Sequence, residues 1–159
     1  MARKTGGKEK RTGPPTINNR QAWANYHILD TVEAGIMLTG AEVKSIREGK
    51  VNISEAHARV MKGEMWLMGM NINPYRHMNS FVVPDPLRSR KLLLHRKQIE
   101  KLDVALSEKG LTIIPLKLYF KKGFAKIELG VAKGKKEYDK REDIKTRDAK
   151  REMDRAMKR

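Results

Sequence analysis

Four side chains near the end of the apolar part of the sequence have the chemistry of a nucleic-acid surface. Two runs of alternating apolar residues, 112–120 and 124–132, predict two strands joined by a turn at Lys121-Lys122-Gly123. The residues predicted to point away from the apolar face are Lys117, Tyr119, Phe124 and Lys126. Aromatic rings among lysines on an open sheet can stack on unpaired RNA bases. The alternative, which stays open, is that Tyr119 and Phe124 only cover a neighbouring loop.

The opposite faces of these two strands predict a core. The apolar residues that alternate along them are Ile114, Leu116, Leu118 and Phe120 in the first strand and Ala125, Ile127, Leu129 and Val131 in the second. Pro115 cannot donate a hydrogen bond to a neighbouring strand. We therefore expect the first strand to lie at an edge or to contain a bulge.

A strongly charged segment follows the second strand. The chain carries 35 Lys and Arg against 19 Asp and Glu, a net charge of +16. The 27 residues from Lys133 onward include 19 charged side chains, too many for this segment to fold alone. Three acid-before-base pairs at i, i+4 would nevertheless support a helix: Glu137/Arg141, Asp143/Arg147 and Asp154/Lys158. We expect a tail that is disordered alone and becomes helical where a polyanionic channel neutralises its charge.

No pattern in the sequence predicts catalysis, a metal site or a cofactor. Cysteine is absent, and the four histidines are too scattered to form a local pair of metal ligands. Neither a nucleophile elbow nor a phosphate-binding loop is present. We therefore expect a protein that is not an enzyme and has no small-molecule substrate. No apolar run approaches the ~20 residues that span a membrane, and the N-terminus lacks a secretory signal, so we expect a cytoplasmic protein without a membrane partner.

The first half of the chain predicts short strands around one helix. A short helical or irregular piece at 19–24 precedes a bent hairpin over 26–38 that is closed by Gly35. Thr39 and Glu42 have the spacing of a capping box, which starts a helix that stops at Gly49.

A second hairpin follows, with strands 56–61 and 64–70 and a turn at Lys62-Gly63. The apolar run in its second strand predicts burial on both faces. Segment 73–91 is expected to be irregular and either mobile or functional. Within it Arg88, Arg90 and Lys91 either pair with phosphate or form a solvated basic edge.

A longer helix then places Ile99, Leu102 and Leu106 on one face and ends at Gly110. Six short strands with two inserted helices predict a mainly β fold, a closed six-stranded barrel of the oligonucleotide-binding type. We expect three regions: a flexible basic arm over 1–17, an RNA-binding barrel over 18–132 and a basic tail over 133–159.

Several ordered motifs together indicate a family. They are Glu33-Ala34-Gly35-Ile36, Gly40-Ala41-Glu42-Val43-Lys44-Ser45-Ile46-Arg47, Gly49-Lys50-Val51-Asn52-Ile53, Asp85-Pro86-Leu87-Arg88-Ser89-Arg90-Lys91-Leu92-Leu93-Leu94, Leu118-Tyr119-Phe120-Lys121 and Gly130-Val131-Ala132-Lys133-Gly134-Lys135-Lys136. Asp139-Lys140-Arg141 follows at the family's spacing. Over about residues 18–150 the chain resembles the bacterial SmpB (small protein B) family. Gln21 and Trp23 depart from the family's usual residues.

The resemblance implies a function and its partners. SmpB proteins bind the tRNA-like domain of transfer-messenger RNA and bring it to stalled ribosomes in trans-translation. The further partners implied are the small-subunit decoding centre, the messenger channel and the elongation factor that carries aminoacyl-tRNA. The family's RNA contacts match Asn19, Tyr26, Glu33, Leu93 and Lys126. The tail residues expected at the ribosome are Lys133, Lys135, Lys136, Tyr138, Asp139, Lys140 and Arg141, of which the last three match the family's essential triad. A generic RNA chaperone or ribosomal protein is the alternative from composition and predicted fold.

Overall fold

A closed ring of six antiparallel strands lies at the centre of the computed structural model, which describes residues 13–76, 84–108 and 110–158. The elements are β1 (Ile17–Asn18), α1 (Arg20–Asn25), β2 (Tyr26–Ile36), α2 (Gly40–Arg47), β3 (Val51–Asn52), β4 (His57–Met61), β5 (Glu64–Met68), β6 (Asn71–Ile72), β7 (Arg90–Leu93), α3 (Arg96–Ser107), β8 (Leu111–Lys121), β9 (Phe124–Gly134) and α4 (Glu137–Met157). The ring runs β8-β4-β5-β7-β2-β9 and closes from β9 to β8. The predicted mainly β, six-stranded barrel with inserted helices is confirmed.

Two of the six strands are not those that the sequence predicted. The expected hairpin over 26–38 is wrong, because β2 is one strand that pairs with β9 from Tyr26 to Gly35. Gly35 lies within this strand, and a Cβ there would come 3.2 Å from the Cβ of Leu93. This glycine therefore allows β7 to approach β2 and makes no turn. The strand that completes the ring, β7, begins inside the segment predicted to be irregular.

The turn predicted at Lys62-Gly63 is confirmed. The turn predicted at Lys121-Lys122-Gly123 is present as the two residues Lys122-Gly123, because Lys121 still belongs to β8. Both residues of each turn have positive φ, with Lys62 and Lys122 at 51° and their glycines at 74° and 81°. Positive φ at both positions is typical of the two-residue turns whose twist suits a hairpin. These turns fix the register of the β4–β5 and β8–β9 hairpins.

Of the two alternatives expected from Pro115, the bulge is confirmed and the edge position is wrong, because β8 pairs with β4 and with β9. The bulge divides the apolar face that the sequence assigned to β8. The pairing of β8 with β9 shifts between Pro115 and Lys117. As a result Leu118 and Phe120 pack into the main core, whereas Ile114 and Leu116 pack outside the ring against Ala22 of α1. The prediction of one shared face is wrong, because the bulge reverses the alternation.

The second hairpin also differs in its burial. Met65 and Leu67 of β5 are fully buried, but Trp66 and Met68 between and after them are only partly buried. The prediction that both faces of this strand are buried is therefore wrong. Its apolar outer residues lie on the surface of the barrel. The predicted helix with Ile99, Leu102 and Leu106 on one face is confirmed as α3, since Leu102 is buried and the other two pack against the core. It ends at Ser107, shortly before the predicted stop at Gly110.

One carboxylate anchors α2 to the barrel. The capping box predicted for Thr39 and Glu42 is present, and Glu42 also accepts hydrogen bonds from Arg88 and from Arg90, the latter at 2.6 Å. Arg90 is 0% exposed and donates further to the carbonyl oxygens of Met70, Pro86 and Arg88. Both readings of Arg90 from the sequence are wrong, because it lies in the interior, away from phosphate and from bulk solvent.

Two predicted segments lie partly outside the described residues. The predicted flexible arm falls mostly on residues 1–12, which lie outside the described residues, and β1 begins at Ile17. Segment 77–83 of the predicted irregular region is likewise outside them. In the part of the chain that is described, no helix is both long and apolar enough to cross a membrane.

We expect Arg90→Met to lower the free energy of unfolding by about 3–5 kcal/mol, because the carboxylate of Glu42 loses a buried cationic partner. Lys91→Met is the matched control. Lys91 pairs with Glu64 at 2.9 Å with both side chains partly exposed, so its loss should cost less than about 1 kcal/mol. Urea unfolding followed by circular dichroism measures both. Equal losses for the two variants would contradict the assigned role of Arg90.

Candidate nucleic-acid interface

The four predicted aromatic and basic residues share one outer face of the barrel. Across β8 and β9, Tyr119 pairs with Lys126 and Lys121 pairs with Phe124. Glu128 pairs with Lys117 on one side and with Glu33 of β2 on the other. Directly opposed residues in adjacent strands point to the same side of a sheet. The predicted arrangement is therefore confirmed, while contact of these residues with RNA stays a prediction.

The two aromatic rings of this face have different surroundings. Phe124 is 71% exposed, so the alternative that it covers a neighbouring loop is wrong. Tyr119 is partly buried, and its hydroxyl donates a hydrogen bond to Oε2 of Glu33. Lys121 Nζ lies 3.6 Å from the other oxygen, Oε1. Phe124 is therefore available as a stacking surface, whereas Tyr119 holds a carboxylate in place.

The contact between Tyr119 and Glu33 lowers the pKa of the carboxyl group and raises the pKa of the phenol. The hydrogen bond from Tyr119 lowers the pKa of Glu33 below its ordinary 4.5, and the charges of Lys121 and Lys126 lower it further. Burial and the bond to Glu33 raise the pKa of Tyr119 to about 12. At neutral pH the site therefore presents an ionised carboxylate beside a protonated phenol. A fixed carboxylate can accept hydrogen bonds from base amines or from a 2′-hydroxyl.

Leu93 borders the same carboxylate from the neighbouring strand. It pairs with Gly35, which in turn pairs with Lys126, and it is 50% exposed. A surface groove of about 390 Å³ lies here, lined by Glu33, Gly35, Leu93, Leu94, His95, Gln98 and Lys126. The groove combines an acceptor, a cation and an apolar wall, which together suit one nucleotide.

Sequence reasoning did not place four residues in this groove: Gly35, which it assigned to a turn, and Leu94, His95 and Gln98. A signal for two of them exists, because the backbone N–H of His95 donates to Oε1 of Gln98 at 3.1 Å, which is capping-box spacing. The sequence could thus have placed both residues at the start of α3. Only the ring closure brings them beside Glu33.

Asn19 and Tyr26, also predicted RNA contacts, lie elsewhere. The Asn19 side chain is 2% exposed, accepts from the backbone of Ala22 at 3.1 Å and donates to the carbonyl of Pro115 at 2.9 Å. Tyr26 packs against the small cluster beneath α1. It lies seven residues before Glu33 on β2, about 20 Å along the strand. The structure does not bring these residues to the Glu33 face, and their contact with RNA stays a prediction.

The predicted tail joins the body through Lys135. β9 extends to Gly134, and the backbone N–H of Lys135 donates to the carbonyl of Asn25 at 2.9 Å. The Lys135 ammonium donates to the carbonyl of Trp23 at 3.0 Å and to the Asp143 carboxylate. That hydrogen bond lowers the pKa of Asp143, with burial acting in the opposite direction. Lys135, predicted to contact the ribosome, is therefore used within the protein.

Helix α4 carries the remaining tail residues, and its ion pairs with the rest of the described chain lie in its first two turns. Asp139 Oδ2 lies 3.5 Å from His27 Nε2, and no residue of α4 is buried. Among the described residues, none of the three predicted i, i+4 pairs comes within ion-pair distance, and Asp143 pairs with Lys135 instead of Arg147. Lys133, Lys136, Tyr138 and Arg141 are exposed. Their contact with a ribosome stays a prediction.

We expect Tyr119→Phe to raise the pKa of Glu33 toward 4.5, because the phenol that stabilises the ionised carboxylate is removed while the ring is kept. Carboxyl-carbon NMR over an acid titration measures this shift. Phe124→Leu alters the same face without touching Glu33 and should leave that pKa unchanged. An unchanged pKa in Tyr119→Phe would show that the hydrogen bond does not form in solution.

Comparison with known proteins identifies the family. A family model described as SmpB protein matches residues 16–159. An SsrA-binding protein of Trichodesmium erythraeum is 49% identical over 99% of both chains, and one of Geobacillus kaustophilus is 54% identical over 94% of this chain and 96% of its own.

A solved structure described as "tmRNA-SmpB: a journey to the center of the bacterial ribosome" contains a chain that is 48% identical, with a TM-score of 0.65. That match covers 77% of this chain and 86% of the other. Close sequence similarity over almost the whole chain and the shared barrel lead to one conclusion. The chain belongs to the SmpB family.

Proposed function

We propose that this protein binds the tRNA-like domain of transfer-messenger RNA and delivers it to stalled ribosomes for trans-translation. Its relatives are named for binding SsrA, and the similar solved structure is described by tmRNA, SmpB and the ribosome. The observation that carries the proposal is the outer face of β2, β9 and β8. There an ionised carboxylate held by Tyr119, the exposed ring of Phe124 and Lys126 lie together beside an open groove.

The roles of the residues follow from their surroundings. Glu33 accepts hydrogen bonds from a base or a 2′-hydroxyl, Lys126 and Lys117 pair with phosphates, and Phe124 stacks. Leu93 gives the apolar wall on which a base or sugar packs. These are binding roles, and we assign no catalytic step to the protein.

The barrel and the tail can each bind a different partner. We assign 18–132 to the RNA and 133–159 to the small-subunit decoding centre and the empty messenger channel, with 1–17 as a basic arm. The attachment of α4 near its start supports this division, because its other residues bury no side chain against the body. The elongation factor that carries aminoacyl-tRNA would join the complex on the RNA. A ribosomal partner would place the protein in the cytoplasm.

A generic RNA-binding role is the second candidate, and the net charge of +16 favours it. The two candidate functions differ in whether the protein prefers one RNA over others. Recovery of the protein from cells followed by sequencing of the bound RNA should yield one dominant structured RNA. A broad mixture of RNAs would instead assign the generic role.

We expect Glu33→Gln and Lys126→Gln each to weaken binding of the tRNA-like domain by about tenfold or more, since each removes a charge-assisted contact. Lys126→Gln should also reduce the salt dependence of binding by about one counterion, whereas Glu33→Gln should not. Lys150→Gln, in the tail, removes the same charge and serves as the control. Gel-shift titrations at several salt concentrations measure these effects. Wild-type affinity in both site variants would refute the assigned face.

Replacing Asp139, Lys140 and Arg141 together by Ala should abolish tagging of stalled peptides while leaving RNA affinity unchanged. RNA affinity should be unchanged because this triad lies at the start of α4, outside the Glu33 face. Tagging should be lost because the triad matches the residues that are essential in the tails of SmpB proteins. A reconstituted translation assay on a messenger without a stop codon measures tagging, and the gel shift measures affinity. Loss of RNA binding in this variant would show that body and tail do not act separately.

A further inference from the structure

Trp66 of β5 points away from the core, although both of its neighbours in the strand are fully buried. Met65 and Leu67 are 0% exposed, whereas Trp66 is partly exposed and is absent from the residues that pack against the core. A single apolar side chain on a surface needs no special explanation. The surroundings of this ring, however, are unusually basic.

Cations lie opposite Trp66 in both neighbouring strands. Arg59 of β4 and Lys91 of β7 are its direct cross-strand partners, so all three side chains share the outer face. Lys91 forms an ion pair with Glu64 at 2.9 Å, and Arg88 shares the Glu42 carboxylate with Arg90. Arg59 is exposed and has no ion-pair partner within the described ranges. This side of the barrel therefore retains positive charge around an aromatic ring.

The ring also forms one wall of a groove. About 310 Å³ of surface space is lined by Met37, Leu38, Thr39, Trp66, Arg88 and Lys91. Met37 is 52% exposed, and Leu38 packs against the core. An apolar floor, an indole wall and a cationic rim suit a planar, uncharged base whose flanking phosphates lie at the rim.

This groove shares a wall with the groove beside Glu33. Lys91 and Leu93 are two residues apart in β7, so both point outward and lie about 7 Å from each other. Lys91 borders the Trp66 groove, and Leu93 borders the Glu33 groove. The two grooves therefore lie side by side along β7, so that one strand of RNA can reach both.

We propose that Trp66 stacks on an unpaired RNA base, and that Arg59 and Lys91 bind the phosphates beside it. The site continues the Glu33–Lys126 groove around the barrel and rests on the proposed function, in which the partner is RNA. A protein partner with an apolar side chain would also fit a partly exposed indole. The flanking cations favour the nucleic acid, because phosphates satisfy them directly.

The two tryptophans of the chain allow a direct test. In Trp23→Phe the only indole is Trp66, and its fluorescence should be quenched as the tRNA-like domain of transfer-messenger RNA is added. The quenching should saturate at the same RNA concentration as the gel shift of that protein. Trp66→Phe, which keeps only Trp23, is the matched control and should show much weaker quenching.

Affinity variants separate stacking from simple apolar cover. Trp66→Leu should weaken RNA binding about 5- to 150-fold, the range of one lost base stack, while Trp66→Phe should weaken it much less. Arg59→Gln should reduce the salt dependence of binding by about one counterion. Circular dichroism of each variant controls for folding, which an outward side chain should not disturb.

The outcomes distinguish this inference from the function on which it rests. RNA binding with wild-type affinity in Trp66→Leu, together with unquenched Trp66, would overturn the stacking site and leave the proposed function intact. Failure of the unaltered protein to bind the RNA would overturn both. Quenching of Trp66 by the elongation factor or by ribosomes without the RNA would assign the groove to another partner and overturn the proposal.

Discussion

The fold depends on one buried carboxylate, that of Glu42. It accepts from the backbone of Thr39 at 3.0 Å, from Arg88 and from Arg90, which donates its remaining hydrogen bonds to three carbonyl oxygens. A buried ion pair costs more than it contributes unless every donor and acceptor is satisfied. Burial acts to raise the pKa of Glu42, but the hydrogen bonds from Arg88, Thr39 and Arg90 together outweigh it and lower the pKa below its ordinary value. Helix α2, the chain after β5 and the start of β7 are therefore held at one point.

This constraint places the strand that borders both grooves. Because the Arg90 side chain is fixed inward, alternation along β7 turns Lys91 and Leu93 outward and Leu92 into the core. β7 joins the two halves of the ring, because it pairs with β5 on one side and with β2 on the other. Loss of the buried pair would therefore disturb the outer surface as well as the stability of the barrel.

The sequence predicts those parts of the fold that depend on local patterns. Alternation predicts β8 and β9, spacing predicts the capping box of α2, and Lys-Gly pairs predict the hairpin turns. The errors arise where distant residues decide. In the sequence, Gly35 indicates a turn, and only the packing of β7 against it explains the glycine. Arg90 is predicted to be a surface residue, and only its contact with Glu42, 48 positions earlier, explains its burial.

The candidate site shows the same division between local and distant information. Alternation along β8 and β9 places Lys117, Tyr119, Phe124 and Lys126 on one outer face. No local pattern, however, joins Tyr119 to Glu33 across 86 positions. That contact changes the interpretation of Tyr119 from a base-stacking ring to the donor that orients a carboxylate.

The paired strands β2 and β9 set the distance between the Glu33 site and the start of the tail. Glu33 pairs near one end and Tyr26 pairs with Gly134 at the other, where α4 is attached. Glu33 and the attachment of α4 are thus separated by the length of two paired strands.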